Sequence, residues 1–243
     1  MEEKTMPERL DVVYILREGI DPQELRYSLR SVEENFPHRL VWFVGGQPKE
    51  ITTDGRIPHK QHGATPWENV RSSLFEIVRN QDITEDFYLF NDDFFVMKKF
   101  TGPFINYAGG TLERKVLDLA AERGANTPYV QALNKCRAEL LTEGYDTIDF
   151  ALHLPMLFNK TKLGEILNAL GSPMFRSIYG NKARVPYIYH ADVKIYDRMT
   201  APPYGCDFVS TMDDSFRNGK VGEIIRSAFP KPSTYESGGN HNG

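Results

Sequence analysis

The sequence predicts an α/β fold, in which a mainly parallel sheet is flanked by helices and carries a helical insert. Short apolar segments alternate along the chain with segments of helical periodicity. The opening strand–helix–strand unit spans about 35 residues, as a βαβ unit does. The run Phe-Tyr-Leu-Phe at 87–90 is continuously apolar, which is typical of a strand buried on both faces of a parallel sheet.

The first elements have clear local signals. Residues 10–16 are apolar and β-branched, and they predict the first strand. Asp21 followed by Pro22 predicts the start of a helix, because Asp caps helix N-termini and Pro fits the first turn. Residues 40–44 predict a second buried strand, which a Gly-Gly pair ends.

The later elements are less regular. Residues 56–60 are a short candidate strand, and Thr65 precedes a second amphipathic helix that leads to the run at 87–90. Residues 101–180 show mostly helical spacing and predict a helical insert or second layer beside the sheet. Residues 185–190 are a candidate strand that returns to the sheet. We therefore predict one α/β catalytic domain over residues 1–236.

The two ends and the composition narrow the class of protein. Residues 237–243 predict a disordered tail. The chain has 243 residues, 40% of them hydrophobic, and a formal net charge of −4, so it offers no basic surface for non-specific nucleic-acid binding. Cys136 and Cys206 are too few for a disulfide framework and predict reduced thiols. Without an apolar leader or an apolar run of about 20 residues, we expect a soluble, cytoplasmic protein with no membrane span.

Asn91, Asp92 and Asp93 follow the apolar run at 87–90, at the edge where open α/β sheets bind ligands. Two adjacent carboxylates cannot both be buried at low cost without a cation or a proton between them. The pair is therefore a candidate site for a divalent cation, which prefers carboxylate oxygens, or one carboxylate is a general base. The alternative is a turn in which Asn91 and Asp92 satisfy backbone groups.

Three further residues have both a chemical and a structural interpretation. His153 precedes Leu-Pro and is followed by Lys160, so the two are candidates for a proton donor and a phosphate contact. The alternative is a partly buried structural histidine and a surface lysine. Arg176 lies among apolar residues, where it is either paired for structural reasons or directed at a phosphate.

Other polar groups carry weaker signals. His59 and His62 have a spacing that suits a metal, but no third ligand is evident, which favours a solvated loop. Asp213 and Asp214 form a second acidic pair without a comparable strand before it. No G-x-G-x-x-G follows a predicted strand, so the sequence has no dinucleotide-binding fingerprint.

Several segments together resemble the Stealth family of sugar-1-phosphate transferases, which act in bacterial capsule synthesis and are related to the lysosomal N-acetylglucosamine-1-phosphotransferase. The most specific of them are Glu-Leu-Arg-Tyr-Ser-Leu-Arg-Ser at 24–31 and Asn-Asp-Asp-Phe-Phe at 91–95. The others occur in the family's order, namely Asp-Val-Val-Tyr at 11–14, Gly-Gln-Pro at 46–48, His-Leu-Pro at 153–155 with Lys160, Phe-Arg-Ser at 175–177, Met-Asp-Asp at 212–214 and Phe-Pro-Lys-Pro-Ser-Thr-Tyr-Glu at 229–236.

The resemblance implies a nucleotide-sugar transferase with a GT-A-like architecture. It would move a sugar 1-phosphate from a nucleotide-sugar donor to the hydroxyl of a glycan or other acceptor, release a nucleoside monophosphate, and use Mg²⁺ or another divalent cation. The alternatives are an ordinary glycosyltransferase that releases a nucleoside diphosphate, and a non-catalytic carbohydrate-binding relative.

The resemblance also implies residue roles. Asp93 is the leading candidate for the acceptor-facing base or metal-linked carboxylate, with Asp92 as its partner. His153 would be an acid/base or a phosphate ligand. The remaining candidates contact or position the donor: Arg176 as a diphosphate clamp, Arg114 and Lys160 as weaker phosphate ligands, and Arg26 and Asn91 as positioning residues.

Overall fold

The computed structural model describes residues 9–236. The predicted disordered tail at 237–243 lies outside the described residues. The strands and helices follow in the order β1 (Asp11–Leu16), α1 (Pro22–Asn35), β2 (Val41–Gly45), β3 (Gly55–Ile57), α2 (Pro66–Arg79), β4 (Asp86–Phe90), β5 (Phe94–Val96), β6 (Asn106–Ala108), α3 (Leu112–Arg123), α4 (Pro128–Thr142), β7 (Met156–Asn159), α5 (Lys160–Asn168), α6 (Phe175–Lys182), β8 (Tyr187–Tyr189), β9 (Lys194–Ile195), β10 (Phe208–Thr211), α7 (Asp213–Asn218) and α8 (Lys220–Ala228).

The central sheet has five strands in the order β3-β2-β1-β4-β7. The first four are parallel, and β7 is antiparallel to β4 at one edge. Helices cover both faces of this sheet, which confirms the predicted fold class. Alternate residues of β1 show the two faces: Val13 packs in the core that contains α2, whereas Val12 and Tyr14 pack in the core that contains α1.

The first two helices begin where the sequence predicts. The Asp21 side chain accepts a hydrogen bond from the Gln23 amide at the start of α1. Thr65 and Glu68 form a reciprocal capping box at the start of α2, which satisfies two amides that the helix itself cannot pair. Local hydrogen bonds at the caps therefore define where these two helices begin.

The segment 101–180 is not purely a helical insert, because it contains β7. The pairing of β7 with β4 aligns Asp86 with Asn159 and Leu89 with Met156. Continuing this antiparallel register past the end of the ladder brings residue 153 level with residue 92. The turn after β4 and the segment before β7 therefore lie at the same edge of the sheet.

Two small sheets complete this edge. Strand β10 pairs antiparallel with β5 and parallel with β9, so Phe94, Ser210 and Lys194 lie side by side. Strand β8 pairs with β6 and does not join the central sheet, which corrects the return predicted for residues 185–190. Within residues 9–236, no helix has both the length and the apolar composition to cross a bilayer.

Candidate functional site

The acidic pair occupies a tight turn between β4 and β5. The Phe94 amide donates to the Asn91 backbone carbonyl oxygen over 3.2 Å, which closes the turn. The Asn91 side chain is exposed, and those of Asp92 and Asp93 are half-buried. Because adjacent carboxylates in a turn point in different directions, Asp92 and Asp93 acquire different surroundings.

The Asp93 carboxylate is held by Lys194. The Lys194 ammonium pairs with Asp93 Oδ2, and the Ser210 hydroxyl donates to the same oxygen over 3.1 Å. Only 8% of the Lys194 side chain and 15% of the Asp93 side chain are exposed. Asp93 Oδ1 is buried and has no hydrogen-bond partner among the described residues. A fixed cation therefore neutralises this carboxylate, and one oxygen is left free.

His153 is oriented by Asp192. The imidazole Nδ1 lies 2.8 Å from Asp192 Oδ2, and the His153 amide donates to Asp192 Oδ1 over 3.0 Å. This contact favours the tautomer with the proton on Nδ1, which leaves Nε2 as an acceptor. Burial alone would raise the pKa of Asp192, but its hydrogen bonds to His153 hold that pKa below the ordinary value. The pair has the arrangement that an imidazole base requires.

Arg176 supports the segment that carries His153. Its Nη1 donates to the Leu154 carbonyl oxygen over 2.7 Å, and its guanidinium lies 5.7 Å from the centre of the Phe94 ring. Desolvation lowers its pKa to about 10, against the attraction of Asp93 and Asp192. Its Nη2 is buried without a partner among the described residues. Arg176 is thus a buried structural support for the segment that contains His153.

Asp92 faces a small cleft formed with the β1–α1 connection and the start of α7. Arg17, Glu24 and Asp213 also line this cleft, which we call the Arg17 cleft. Burial and the charge of Asp93 raise the pKa of Asp92 to about 6. Burial raises the pKa of Glu24 to about 8, although the Thr211 hydroxyl donates to it over 2.5 Å. At neutral pH Glu24 is therefore mainly protonated beside a mainly ionised Asp92.

The donor atoms at the turn fit a divalent cation only in part. Carboxylate oxygen suits Mg²⁺, which commonly uses one or two carboxylates together with substrate phosphates. Asp92 meets that requirement, whereas Lys194 already occupies one oxygen of Asp93. Within the described residues there is no group of three or more Asp, Glu, His or Cys side chains arranged to hold a metal. A cation would thus have to be held by Asp92 together with the phosphates of a substrate.

Lys160 and Arg114, two predicted phosphate ligands, lie away from the acidic turn. Lys160 lies at the opposite end of β4, where its ammonium donates to the carbonyl oxygens of Asn80 and Ile83. Arg114 is exposed and pairs with Asp118 one turn along α3. Neither geometry provides a phosphate contact at the acidic pair.

Arg26 braces the end of the described chain. Its Nε lies 3.4 Å from Glu236 Oε2, and Arg30 binds the same carboxylate through two nitrogens. The ion pair of Arg26 is thus with Glu236 and not with the acidic turn that it was expected to position.

The histidines at 59 and 62 and the second acidic pair at 213 and 214 were weaker candidates, and their members lie in different surroundings. His59 is half-buried, with its Nε2 2.8 Å from the Ser72 hydroxyl, whereas His62 is exposed. Asp214 forms an exposed ion pair with Arg198, so only Asp213 of the second acidic pair lines the Arg17 cleft.

The sequence did not single out Lys194, Asp192, Ser210 or Glu24. Glu24 had a usable signal, because it is an acid in the first turn of a helix that begins at the carboxyl edge of the sheet. Lys194 had none, since β9 has only two residues and its partner Asp93 lies 101 positions earlier in the chain.

The comparison with one solved structure, that of LgtC, supports the fold. The chain is similar to LgtC, with a TM-score of 0.50 at 11% identity, over 93% of this chain and 97% of LgtC. A second LgtC structure, a galactosyltransferase complex with donor and acceptor sugar analogues, gives a TM-score of 0.48 at 12% identity over the same shares. The glycosyltransferase GlyE of Streptococcus pneumoniae TIGR4 gives a TM-score of 0.29 at 11% identity, covering 52% of this chain and 42% of GlyE.

The sequence comparisons give no family. No family model matches the chain, and no curated protein is significantly similar to it. At 11% identity, the match to LgtC shows a shared architecture and nothing about substrates. The chain therefore has the GT-A-like α/β fold of LgtC.

Proposed function

We propose that the protein transfers a sugar 1-phosphate from a nucleotide sugar to an acceptor hydroxyl. The observation that carries this proposal is the meeting, at one edge of the sheet, of the acidic turn with the oriented His153–Asp192 pair and the buried cation Lys194. The acidic turn and His153 belong to two of the segments that resemble the Stealth family, and Asp192 and Lys194 lie between the segments at 175–177 and 212–214. The LgtC-like fold is compatible with a nucleotide-sugar donor.

His153 takes the proton in the proposed reaction. The acceptor oxygen forms a bond to the β-phosphorus of the donor, while the bond from that phosphorus to the bridging oxygen breaks. The bridging oxygen leaves with the α-phosphate as a nucleoside monophosphate. The hydroxyl proton moves to His153 Nε2, and Asp192 stabilises the resulting imidazolium. We prefer His153 to Asp93 as the base because its Nε2 is available, whereas the Asp93 carboxylate is bound to Lys194.

The proposed reaction needs positive charge near the phosphate oxygens of the donor, and Arg17 is the residue proposed to supply it. Phosphoryl transfer depends on in-line positioning and on positive charge near the oxygens more than on covalent intermediates. Arg17 is exposed beside Asp92 and has no ion pair in the described part of the chain, so it is free to contact the donor phosphates. Asp93 acts as a positioning carboxylate for Lys194. Arg176 positions Leu154, and with it His153, in place of the diphosphate clamp predicted from the sequence.

A divalent cation, when bound, neutralises charge on the donor diphosphate. Asp92 is the residue of this chain that would hold it. Because the pKa of Asp92 is about 6, its carboxylate is available to a cation at neutral pH and is lost as the pH falls below that value.

The second candidate is a glycosyl transfer that releases a nucleoside diphosphate. The fold shared with LgtC is the observation in its favour, since a galactosyltransferase has this architecture. The two reactions differ in which bond breaks, so the nucleotide product separates them.

The test is a product analysis with uridine-, guanosine- and thymidine-diphosphate sugars and a panel of hydroxyl acceptors. We expect a nucleoside monophosphate by chromatography and a phosphodiester signal by ³¹P NMR. The His153→Ala variant should lose about 10²-fold or more in kcat, the usual contribution of a general base. The exposed Arg114→Ala variant is the matched control and should keep full activity. A nucleoside diphosphate product would replace the first candidate by the second.

A further inference from the structure

A second cleft adjoins the acidic turn on the Asp93 side. It has a volume of 460 Å³ and lies between the β8–β9 connection, the loop that follows β9, and β10. We call it the Lys194 cleft. It shares no lining residue with the Arg17 cleft on the Asp92 side. The two adjacent carboxylates thus belong to two separate clefts.

The wall of the Lys194 cleft is linked directly to the proposed chemistry. Lys194 lines it and binds Asp93, and Asp192 lines it and binds His153. A molecule in this cleft would contact the two residues that hold the proposed positioning carboxylate and base. The cleft therefore lies beside the two residues that position Asp93 and His153, although His153 itself does not line it.

The charges of this cleft are compensated within the protein. Lys194 is paired with Asp93, and Asp192 with His153. Lys98 lies 3.6 Å from Asp207, both of them lining residues. An anionic diphosphate would find no unpaired lysine or arginine among the described residues here, in contrast to Arg17 in the other cleft. The electrostatics favour an uncharged occupant.

The remaining lining combines apolar and hydrogen-bonding groups. Ile195, Phe208 and Val209 are buried apolar residues that form part of the wall. The exposed Thr200 also lines the cleft, and its hydroxyl donates to Asp197 over 2.6 Å. Apolar walls with a few placed polar groups are typical of small-molecule sites, which occupy about 300–1,000 Å³. Carboxylate oxygens accept hydrogen bonds from hydroxyls, and the apolar wall can contact the C–H faces of a sugar ring.

We infer that the Lys194 cleft binds the acceptor as an uncharged sugar unit of one or two rings. The Arg17 cleft, with a volume of about 10 Å³, has no room for a whole donor, so only the donor phosphates would lie at its mouth, beside Arg17. This assignment rests on the proposed function, and it gives each carboxylate of the pair one substrate. Asp92 serves the donor, and Asp93, through Lys194, serves the acceptor.

The test uses binding, so that it does not depend on knowing the natural substrates. Ala201 is exposed and lines the cleft, and Ala201→Trp should fill it. Ala138 is exposed on α4 and lines neither cleft, so Ala138→Trp is the matched control. Binding of methyl glucoside, N-acetylglucosamine, cellobiose and lactose is measured by saturation-transfer NMR. Binding of UDP, GDP and TDP is measured by calorimetry.

We expect at least one saccharide to bind the wild-type protein. Its affinity should be about 10-fold or more lower for Ala201→Trp and unchanged for Ala138→Trp. Nucleotide affinity should be unchanged in Ala201→Trp and reduced in Arg17→Ala. The inference is overturned if no saccharide binds, if Ala201→Trp leaves saccharide affinity unchanged, or if it weakens nucleotide binding instead. Loss of saccharide binding in Ala201→Trp would support the cleft assignment even if the wild-type protein turned over no nucleotide sugar. The absence of turnover would refute the proposed reaction.

Discussion

Replacing Lys194 by methionine isolates the ion pair at the centre of the site. The substitution keeps an unbranched side chain but leaves Asp93 as an uncompensated charge of which only 15% is exposed. Breaking a buried pair from one side costs about 3–5 kcal/mol. Because Ser210 still donates to Asp93, we expect the lower end, about 3 kcal/mol. For a chain of this size that lowers Tm by about 6–12 °C.

A double-mutant cycle shows whether the loss arises from this pair. Urea unfolding of Lys194→Met, Asp93→Asn and the double variant should give a coupling free energy of about 2 kcal/mol, within the range for residues in contact. Lys98→Met is the matched control, because the exposed pair of Lys98 with Asp207 is worth about 0–1 kcal/mol. A coupling below about 0.5 kcal/mol would show that Lys194 does not hold Asp93, and would refute the role given to it.

Three further predictions concern single residues. Because its pKa is raised, Glu24 keeps its proton in the folded state at pH values where the unfolded state has lost it. The free energy of unfolding should therefore fall as the pH rises from about 5 to about 8, by at most about 1.4 kcal/mol per pH unit. Glu24→Gln should flatten that slope in urea unfolding, and an unchanged slope would contradict it. Asp192→Asn should lower kcat by about 10²-fold with a smaller change in KM for the donor, and an unaltered kcat would rule out orientation of His153. Lys160→Met should lower the free energy of unfolding by about 2–3 kcal/mol, because two carbonyl oxygens lose their donor. Nucleotide affinity should be unchanged, and weaker nucleotide binding would show that Lys160 contacts the donor.

The elements that the sequence predicts well are those fixed by local chemistry. The apolar strands β1, β2 and β4 and the capped helices α1 and α2 carry their signals within a few residues. Strand β7 was missed because its four residues lie in a largely helical stretch, and its place in the sheet depends on pairing with β4. The position of β8 likewise depends on β6, a three-residue strand far away in the chain.

The candidate site follows the same division. The acidic turn could be predicted because an apolar strand leads directly into it. The partners of its side chains could not, because they come from other strands: Lys194 lies 101 positions from Asp93, and Asp192 lies 39 positions from His153. Lys160 was misleading for the reverse reason. It is close to His153 in sequence, but an extended strand of four residues carries it to the far end of the sheet.

The two neighbouring aspartates differ because a turn separates side chains that a sequence pattern groups together. An Asp-Asp pair at the end of a strand predicts one site in which both carboxylates share a cation. In the folded chain, β9 and β10 pack against one side of the turn and supply Lys194, whereas the β1–α1 connection packs against the other and supplies Arg17. Asp93 is then neutralised by the protein itself, and Asp92 keeps a raised pKa and a solvent-facing cleft. A cation requirement, if it resides in this chain, should therefore be abolished by Asp92→Asn and retained, with reduced stability, by Asp93→Asn. Measuring the dependence of nucleotide affinity on Mg²⁺ in both variants tests this division, and equal loss in both would show that the two carboxylates act as one site.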